Sequence, residues 1–546
     1  MKTFSSIGIA LLIGFATLAR GAQDYWSATV VYVFILVLGV AVLFWSSWGG
    51  SARGVRVALA APLFSLIFVF LLSFQRAINP HESFYELLDW FSATLLFYIG
   101  LQIFDSDETI PLFFVVLIPI FWVQLVLNVK NVLAEPLSVQ FQRSAGSLVN
   151  ANIAAGFLLF WVPPLIHKIK QIKHEKRFFS LYWISGLLVV FLNLIFARST
   201  FAWFCLALGL PFIVGWDETK TYFQKKKKQF FSLFIFVLLG IGVLLFFKWK
   251  EFFGQTGGTL SSTTSRLVWW KAGWAMFLER PFFGVGLGNY GSAYLAYKET
   301  VGQNTLFAHN FLITLLAETG IAGLVSFLFL CFVFVRKGWQ AALRDVERKS
   351  LFLGWCLFFV FASFNVSLEY LINLLVFFLF MSVALAKSRV VYWKPSRLMC
   401  VMSIPLTVSA LPFILSPFFA SQNHVHAERL FLKGRYDEAI KHFETATVLD
   451  SRSWMSFEQG ARSYFHIYLS SKDKDHLRKA IDWQKRAIEQ YPLQGRLHWA
   501  LGVYFVEARQ LKEAAEAFSR ASDLHKTNPR YKMDYEKFKP YLTPPA

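Results

Sequence analysis

His309 stands beside Asn310 immediately before the apolar run Phe311-Leu312-Ile313-Thr314-Leu315-Leu316. Histidine titrates near neutral pH without perturbation, so at the mouth of a membrane helix it is the best candidate for proton transfer; simple capping of that helix is the competing role. Arg198 occupies the tip of a hairpin between two apolar runs, in Ala197-Arg198-Ser199-Thr200. A guanidinium at that depth is costly unless it snorkels or pairs, and its planar fork suits bidentate binding of phosphate oxygens; anchoring a helix at lipid headgroups is the alternative. Arg266 precedes Leu267, Trp270, Trp274 and Phe277, whose spacing predicts an amphipathic helix along the membrane surface with Arg266 in its first turn. Such a helix can gate lateral access for a lipid-linked ligand, or serve only as an anchor. Arg280, Asn310 and Glu318 complete the substrate-binding candidates.

Two features between and beyond these residues bear on the chemistry. The segment Gly284-Val285-Gly286-Leu287-Gly288-Asn289 has glycines enough to cradle a phosphate, but it follows no strand and has no Lys-Ser or Lys-Thr after it, so a nucleotide site is not expected. Tight turns that bring the loop down to a helical bundle are the expectation instead. Glu318 falls roughly 15 Å below His309 on a continuous helix and on nearly the opposite face, which argues against a simple His-Glu dyad. Gly320 and Gly323 are candidates to bend that helix, and a buried carboxylate there requires an arginine, lysine or backbone partner. No His or carboxylate spacing resembles a metal site, and neither metal nor cofactor is expected.

These residues must be positioned by membrane helices. The chain has 546 residues, 56% hydrophobic and 18% aromatic, with a mean hydropathy of +0.47, too apolar for an ordinary soluble protein. Stretches able to cross a bilayer, each needing about 20 residues, lie near 4–19, 29–45, 57–75, 85–102, 110–127, 151–166, 180–196, 199–216, 229–248, 308–335, 350–368, 371–386 and 398–420. The expected fold is all-α: a polytopic bundle of about 12–13 spans. Four regions are predicted: an N-terminal transmembrane bundle (1–248), an extracytoplasmic loop with its amphipathic helix (249–307), further transmembrane helices (308–421) and an extracytoplasmic tail (422–546). Cys205, Cys331, Cys356 and Cys400 all fall within apolar stretches and read as packing residues. The first stretch reads as a retained helix rather than a cleaved leader.

The net charge of +20 does not point to nucleic acid, because the cations sit in short loops where topology signals belong. Lys168, Lys170, Lys173, Lys176 and Arg177 form one cluster and Lys225 to Lys228 a second. Arg336, Lys337, Arg344, Arg348 and Lys349 form a third, and Lys387, Arg389, Lys394 and Arg397 a fourth. With all four facing the cytoplasm, Arg198, the 249–307 loop and everything after about 421 lie outside. The acidic segment Asp105–Glu108 then falls inside, a mild conflict with the count.

The tail shows repeated small and aromatic positions: Ala439, Phe443 and Ala446; Ala480, Gln484 and Ala487; Leu501, Gly502, Phe505, Ala514, Phe518 and Ala521. Ala480 and Ala514 are one tetratricopeptide-type period of about 34 residues apart, whereas Ala439 and Ala480 are further apart, predicting an insertion near Ser470 to Asp475. A solenoid of helical hairpins offers a surface to a protein partner rather than a catalytic centre.

The combination Ser265-Arg266, Trp269, Ala272, Pro281, the Gly284–Tyr290 segment, His309-Asn310, Leu315, Glu318, Gly320 and Gly323 resembles the O-antigen ligase and polymerase superfamily of bacterial envelopes. Arg198 in its hairpin and Asn150-Ala151-Asn152 opening a span are similar to family features. The motif region covers about 150–325. The resemblance implies a multi-pass protein of the bacterial inner membrane with a periplasmic tail. It implies an enzyme that moves a glycan from an undecaprenyl diphosphate carrier to an acceptor on the outer face, inverting and without metal. It further implies that Arg198 and Arg266 hold the diphosphate and that His309 acts on the acceptor hydroxyl. The tail departs from the simplest ligases and resembles some protein O-oligosaccharyltransferases, so lipid A core, a protein and a growing glycan all fit as acceptor. A polymerase of the same superfamily is the nearest alternative. A non-catalytic transporter of lipid-linked glycan and a scaffold acting through the tail are readings of other classes.

Overall fold

A computed structural model of the chain describes residues 1–48, 54–106, 108–134, 144–171, 177–214, 262–299, 304–388 and 391–542. The apolar stretch 229–248 and the Lys225–Lys228 cluster lie outside the described residues. Each of the other predicted stretches coincides with helix: α1 (Lys2–Leu18), α2 (Tyr25–Trp48), α3 (Ala60–Phe74), α4 (Pro80–Ile103), α5 (Thr109–Ala134), α6 (Ala151–Leu159), α7 (Val162–Gln171), α8 (Arg177–Ala197) and α9 (Thr200–Val214). The 249–307 segment contributes α10 (Ser262–Glu279) and α11 (Tyr290–Tyr297), followed by α12 (Phe311–Ala342), α13 (Val346–Ser363), α14 (Leu371–Leu385) and α15 (Arg397–Leu432). Among the described residues six helical stretches are long and apolar enough to cross a membrane, and four shorter apolar helices accompany them. Among the described residues a two-stranded sheet pairs β1 (Val55–Val57) antiparallel to β2 (Val391–Trp393).

Helix α14 is apolar all round, and every residue from Leu371 to Leu385 is buried, which makes it the centre on which the bundle packs. Helix α15 has the opposite environment, with Leu398, Val401, Leu406, Phe413 and Phe419 exposed along an apolar helix at the periphery. In a membrane those side chains face lipid.

Several described members of the basic clusters meet carboxylates at one end of the bundle. Lys168 pairs with Glu347 at 2.8 Å, and Lys387 and Arg348 approach Asp345. Asp105 pairs with Arg56 at 2.8 Å and with Lys2, while Arg56 also donates to the Ala386 carbonyl. The acidic segment therefore shares an end with the basic loops, which removes the conflict in the count: carboxylates collect where cations need counter-charges. Arg348 is not a loop cation. It is buried and donates to the carbonyls of Val383 and Phe104, tying α13 to α14 and α4.

A single helix crosses the expected boundary at 421/422. Helix α15 runs on to Leu432, so the last apolar stretch and the first helix of the tail are one rod of about 54 Å at 1.5 Å per residue. The tail continues with α16 (Tyr436–Leu449), α17 (Trp454–Ser471), α18 (Lys474–Gln490), α19 (Gly495–Glu507), α20 (Leu511–Leu524) and α21 (Pro529–Phe538). Ala439, Ala446, Ala480, Ala487, Ala514 and Ala521 are fully buried between the paired helices, and Gly502 lies against the Phe518 ring, so small residues set the close approach. The extra residues near Ser470 form helix rather than a loop: α17 has 18 residues where α19 has 13, α18 begins six residues before Ala480 where α20 begins three before Ala514, and the chain turns at Lys472 with Asp473 capping α18.

Candidate active site

The Gly284–Asn289 segment positions the rest of the site by docking into a break in α12. Gly320 adopts φ 64°, outside helical geometry, and splits the helix. Freed backbone groups there are taken up by the loop: Val285 N–H donates to the Ala317 carbonyl, Gly286 N–H to Glu318, and Ile321 N–H to Pro281. A side chain at Gly284 would strike the Glu318 backbone, and one at Gly320 the Phe282 backbone, so both glycines are demanded by contact as well as conformation. Glu318 finds the backbone partner that its burial requires, accepting from Gly288 N–H at 2.9 Å and from Tyr290 N–H at 2.8 Å. Asn289, fully buried, accepts from Asn79 N–H at 2.6 Å and donates to Ser83 Oγ, fastening the loop to the start of α4.

His309 lies before the helix rather than on it. Its φ is 54°, the left-handed region, and Asn310 is the cap, accepting from Ile313 N–H at 3.2 Å. The wheel argument that set His309 against Glu318 therefore does not apply. The His309 ring stacks on Trp269 at 4.6 Å and 25°, and the neighbouring Trp270 indole donates to the Ala308 carbonyl at 2.9 Å. Arg266 lies one turn before Trp269 on α10, close enough for its charge to act on the imidazole. Burial first, and that charge second, push the His309 imidazole down to about 4, so it is neutral at pH 7 and able to accept a proton. Burial also lowers Arg266, whose Nε has no hydrogen-bond partner among the described residues.

Helix α10 does not lie free on a surface. Ser265, Trp269, Ala272 and Met276 are buried, while Leu267, Trp274 and Leu278 remain exposed. The inward face is thus Trp269-centred, not the predicted Leu267-Trp270-Trp274-Phe277 stripe. Arg280 ends this helix about 21 Å from Arg266 along the axis. It is half-buried and donates weakly to the Arg76 carbonyl at 3.5 Å, so the two arginines do not converge.

Arg198, at φ 47°, closes the α8–α9 hairpin. Its neighbour Ser199 donates to Asn152 Oδ1 at 3.4 Å, and the Asn152 carbonyl accepts from Ser367, which opens the 3-10 turn Ser367–Glu369. Tyr370 then meets Phe307, two residues before His309, at 5.9 Å between rings. Arg198 and His309 share one end of the bundle through this chain of contacts, the end opposite the paired basic loops.

Sequence reasoning missed a cavity of about 590 Å³, which adjoins the Asn304–Phe307 segment of loop leading into His309. Its wall carries Glu82, Glu86, Asp89 and Glu369 and, among the described residues, no lysine or arginine, together with Tyr25, Tyr32 and Tyr85. Trp454, Tyr491 and Gln494 of the tail close it. The signal was present: Glu82, Glu86 and Asp89 recur at helical spacing on one face of an otherwise apolar stretch. Among the described residues no group of His, Cys, Asp and Glu is arranged to hold a metal ion.

Residues 183–328 match the family model described as O-antigen ligase, about a quarter of the chain. The match supports a membrane glycosyltransferase of the ligase or polymerase type, and with the apolar helices it supports a multi-pass membrane protein. No curated protein matches the chain. Similar solved structures include the first TPR domain of the human RPAP3 protein, at 19% identity over 23% of this chain and 94% of that one, with a TM-score of 0.21. The type III secretion chaperone SycD of Yersinia enterocolitica, in complex with a peptide of the translocator YopD, shares 18% identity over 22% of this chain and 94% of that one, with a TM-score of 0.20.

Proposed function

We propose that the chain transfers a glycan from a polyprenyl diphosphate carrier to an acceptor hydroxyl, at the membrane face opposite the basic loops. The observation that carries this reading is the Arg266–His309 pair: a half-buried guanidinium with an unused Nε beside a neutral imidazole clamped on Trp269. A diphosphate suits the first and a hydroxyl proton the second. The O-antigen ligase match over 183–328 supports the same chemistry.

In this mechanism the acceptor oxygen attacks the anomeric carbon as its proton passes to a His309 ring nitrogen. The bond from the anomeric carbon to the diphosphate oxygen breaks on the opposite face, the diphosphate keeps the electron pair, and the centre inverts. Arg266, joined by Arg198 from the α8–α9 hairpin, neutralises charge that grows as that bond breaks, which lowers the barrier rather than merely tightening binding. Glu318 serves as the anchor of the glycine loop and Asn310 as the helix cap; Arg280 stands outside the donor site. The acidic cavity repels a diphosphate, so the donor headgroup belongs on the arginine side of His309 and the sugars on the other. The basic-loop end faces the cytoplasm of a bacterial inner membrane and the tail the periplasm. Lipid A core, a protein and a growing polymer remain the acceptor classes.

The test is transfer from a synthetic undecaprenyl diphosphate-linked saccharide by the full chain in nanodiscs with bacterial envelope acceptors. Loss in His309→Asn and Arg266→Ala supports the reading; full transfer by both variants overturns it.

A further inference from the structure

We infer that the acidic cavity beneath the tail is a saccharide-binding site for neutral sugar units, and that the tail itself supplies part of its specificity through Trp454, Tyr491 and Gln494. The inference rests on the glycan-transfer reading above but concerns which sugars are held, not how the bond is made.

Three independent features of the wall support it. The first is unused hydrogen-bonding capacity. The Tyr85 hydroxyl, Trp454 Nε1 and one oxygen of Glu369 are buried with no hydrogen-bond partner among the described residues, and all three residues line this cavity. Buried polar groups are almost always satisfied, so a cluster of unsatisfied donors and acceptors around one space calls for a polar occupant. A sugar, with hydroxyls that both donate and accept, satisfies such a mixed set.

The second feature is charge. Glu82, Glu86, Asp89 and Glu369 face the cavity with no lysine or arginine among the described residues of its wall. Burial first, and the carboxyls of Glu318 and Glu86 second, hold Glu369 well above the usual carboxylate range, so this wall already resists negative charge. Its carboxyl groups can donate to or accept from sugar hydroxyls, whereas a uronic acid would bring further negative charge into it. The site therefore discriminates by charge against carboxylate-bearing saccharides.

The third feature is the roof. Trp454 and Tyr491 meet edge to face at 5.3 Å, presenting rings to the cavity in the way that apolar sugar faces are held. The roof is fixed in place: Tyr491 donates to the Ser292 carbonyl at 2.6 Å, and Asp450, shortly before Trp454, pairs with His81 of α4 at 2.9 Å. The tail is thus a wall of the substrate site as well as a surface on which a partner could dock.

Saturation-transfer NMR of the full chain in nanodiscs tests this with lactose, chitobiose, cellobiose and digalacturonate as probes. At least one neutral disaccharide is expected to give a saturable signal, at least tenfold stronger than digalacturonate at neutral pH. That signal should fall about tenfold in Trp454→Ala and in Glu82→Gln, each checked for native size and melting temperature, and persist in His309→Asn. Absence of any neutral signal, equal binding of digalacturonate, or undiminished binding in both folded variants overturns the inference. Persistence of transfer in His309→Asn would instead defeat the catalytic reading and leave this one standing, so the two failures are separable.

Discussion

A histidine buried beside an arginine is a weak base in the empty site and a better one when an anion compensates that arginine. With His309 held near 4 by burial and then by Arg266, the basic form persists throughout the neutral range and is lost only as pH falls through about 4. A diphosphate on Arg266 removes the second cause and raises the imidazole toward its usual range. The acid limb of kcat should therefore lie at higher pH than that of kcat/KM, because the former reports the loaded enzyme and the latter the free one. Coincident acid limbs would count against a compensated arginine. His309→Asn isolates the chemistry, since asparagine tolerates the left-handed φ of 54° at this position. It should lower kcat by about 10² to 10⁴ with little change in donor KM. His309 and Arg266 were legible in the sequence because polar side chains interrupt apolar text at a membrane mouth. Their relation to Glu318 was not, because one residue in left-handed conformation removes His309 from the helical wheel.

The elements around these residues act as a joined pair, loop into broken helix. Glu318 receives two backbone N–H groups through its two oxygens, so Glu318→Gln places an amide NH₂ against one of them. That variant should lose about 1–3 kcal/mol of stability and loosen the 284–290 loop, visible as faster hydrogen exchange there. Unchanged protection would show that the carboxylate is not the anchor. At the opposite end Arg348 gives the same kind of test. Arg348→Met strips the Val383 and Phe104 carbonyls of their donor and should cost about 3 kcal/mol in thermal melting, whereas the exposed Lys337→Met should cost almost nothing. Helix positions were readable from apolar runs, which is why the predicted stretches fall on helices. The facing of α10 was not: in a chain this rich in tryptophan, Leu267 and Trp274 are exposed while Trp269 turns inward, and hydrophobicity alone does not separate the two environments.

At the scale of the whole molecule the tail is continuous with the bundle through α15 and is latched to it at a second point. The latch is Asp450, 2% exposed, which bonds His81 Nδ1 at 2.9 Å and Arg452 at 2.8 Å, while Arg452 lies 3.7 Å over the Phe84 ring of α4. The sequence showed the repeats but not this docking, because each partner is an ordinary surface residue until the fold brings positions 81 and 450 together. Burial by itself raises the Asp450 carboxyl, but bonding to His81 and Arg452 outweighs it and holds the group at about 2. A depressed carboxylate contributes stability that is complete above its unfolded value of about 4 and is lost as pH falls through the folded one. The latch should accordingly contribute about 2 kcal/mol to tail docking at neutral pH and release between about pH 4 and pH 2. Asp450→Asn should release it at neutral pH, raising hydrogen exchange across 290–297 and 450–471 together, because Tyr491 holds Ser292 only while the tail is seated. His81→Ala should produce the same pattern, and the double variant should be no worse than either single one. Strictly additive effects, or an exchange change confined to the tail, would mean that the repeats stay seated without the latch and that the roof of the cavity is held by α15 alone.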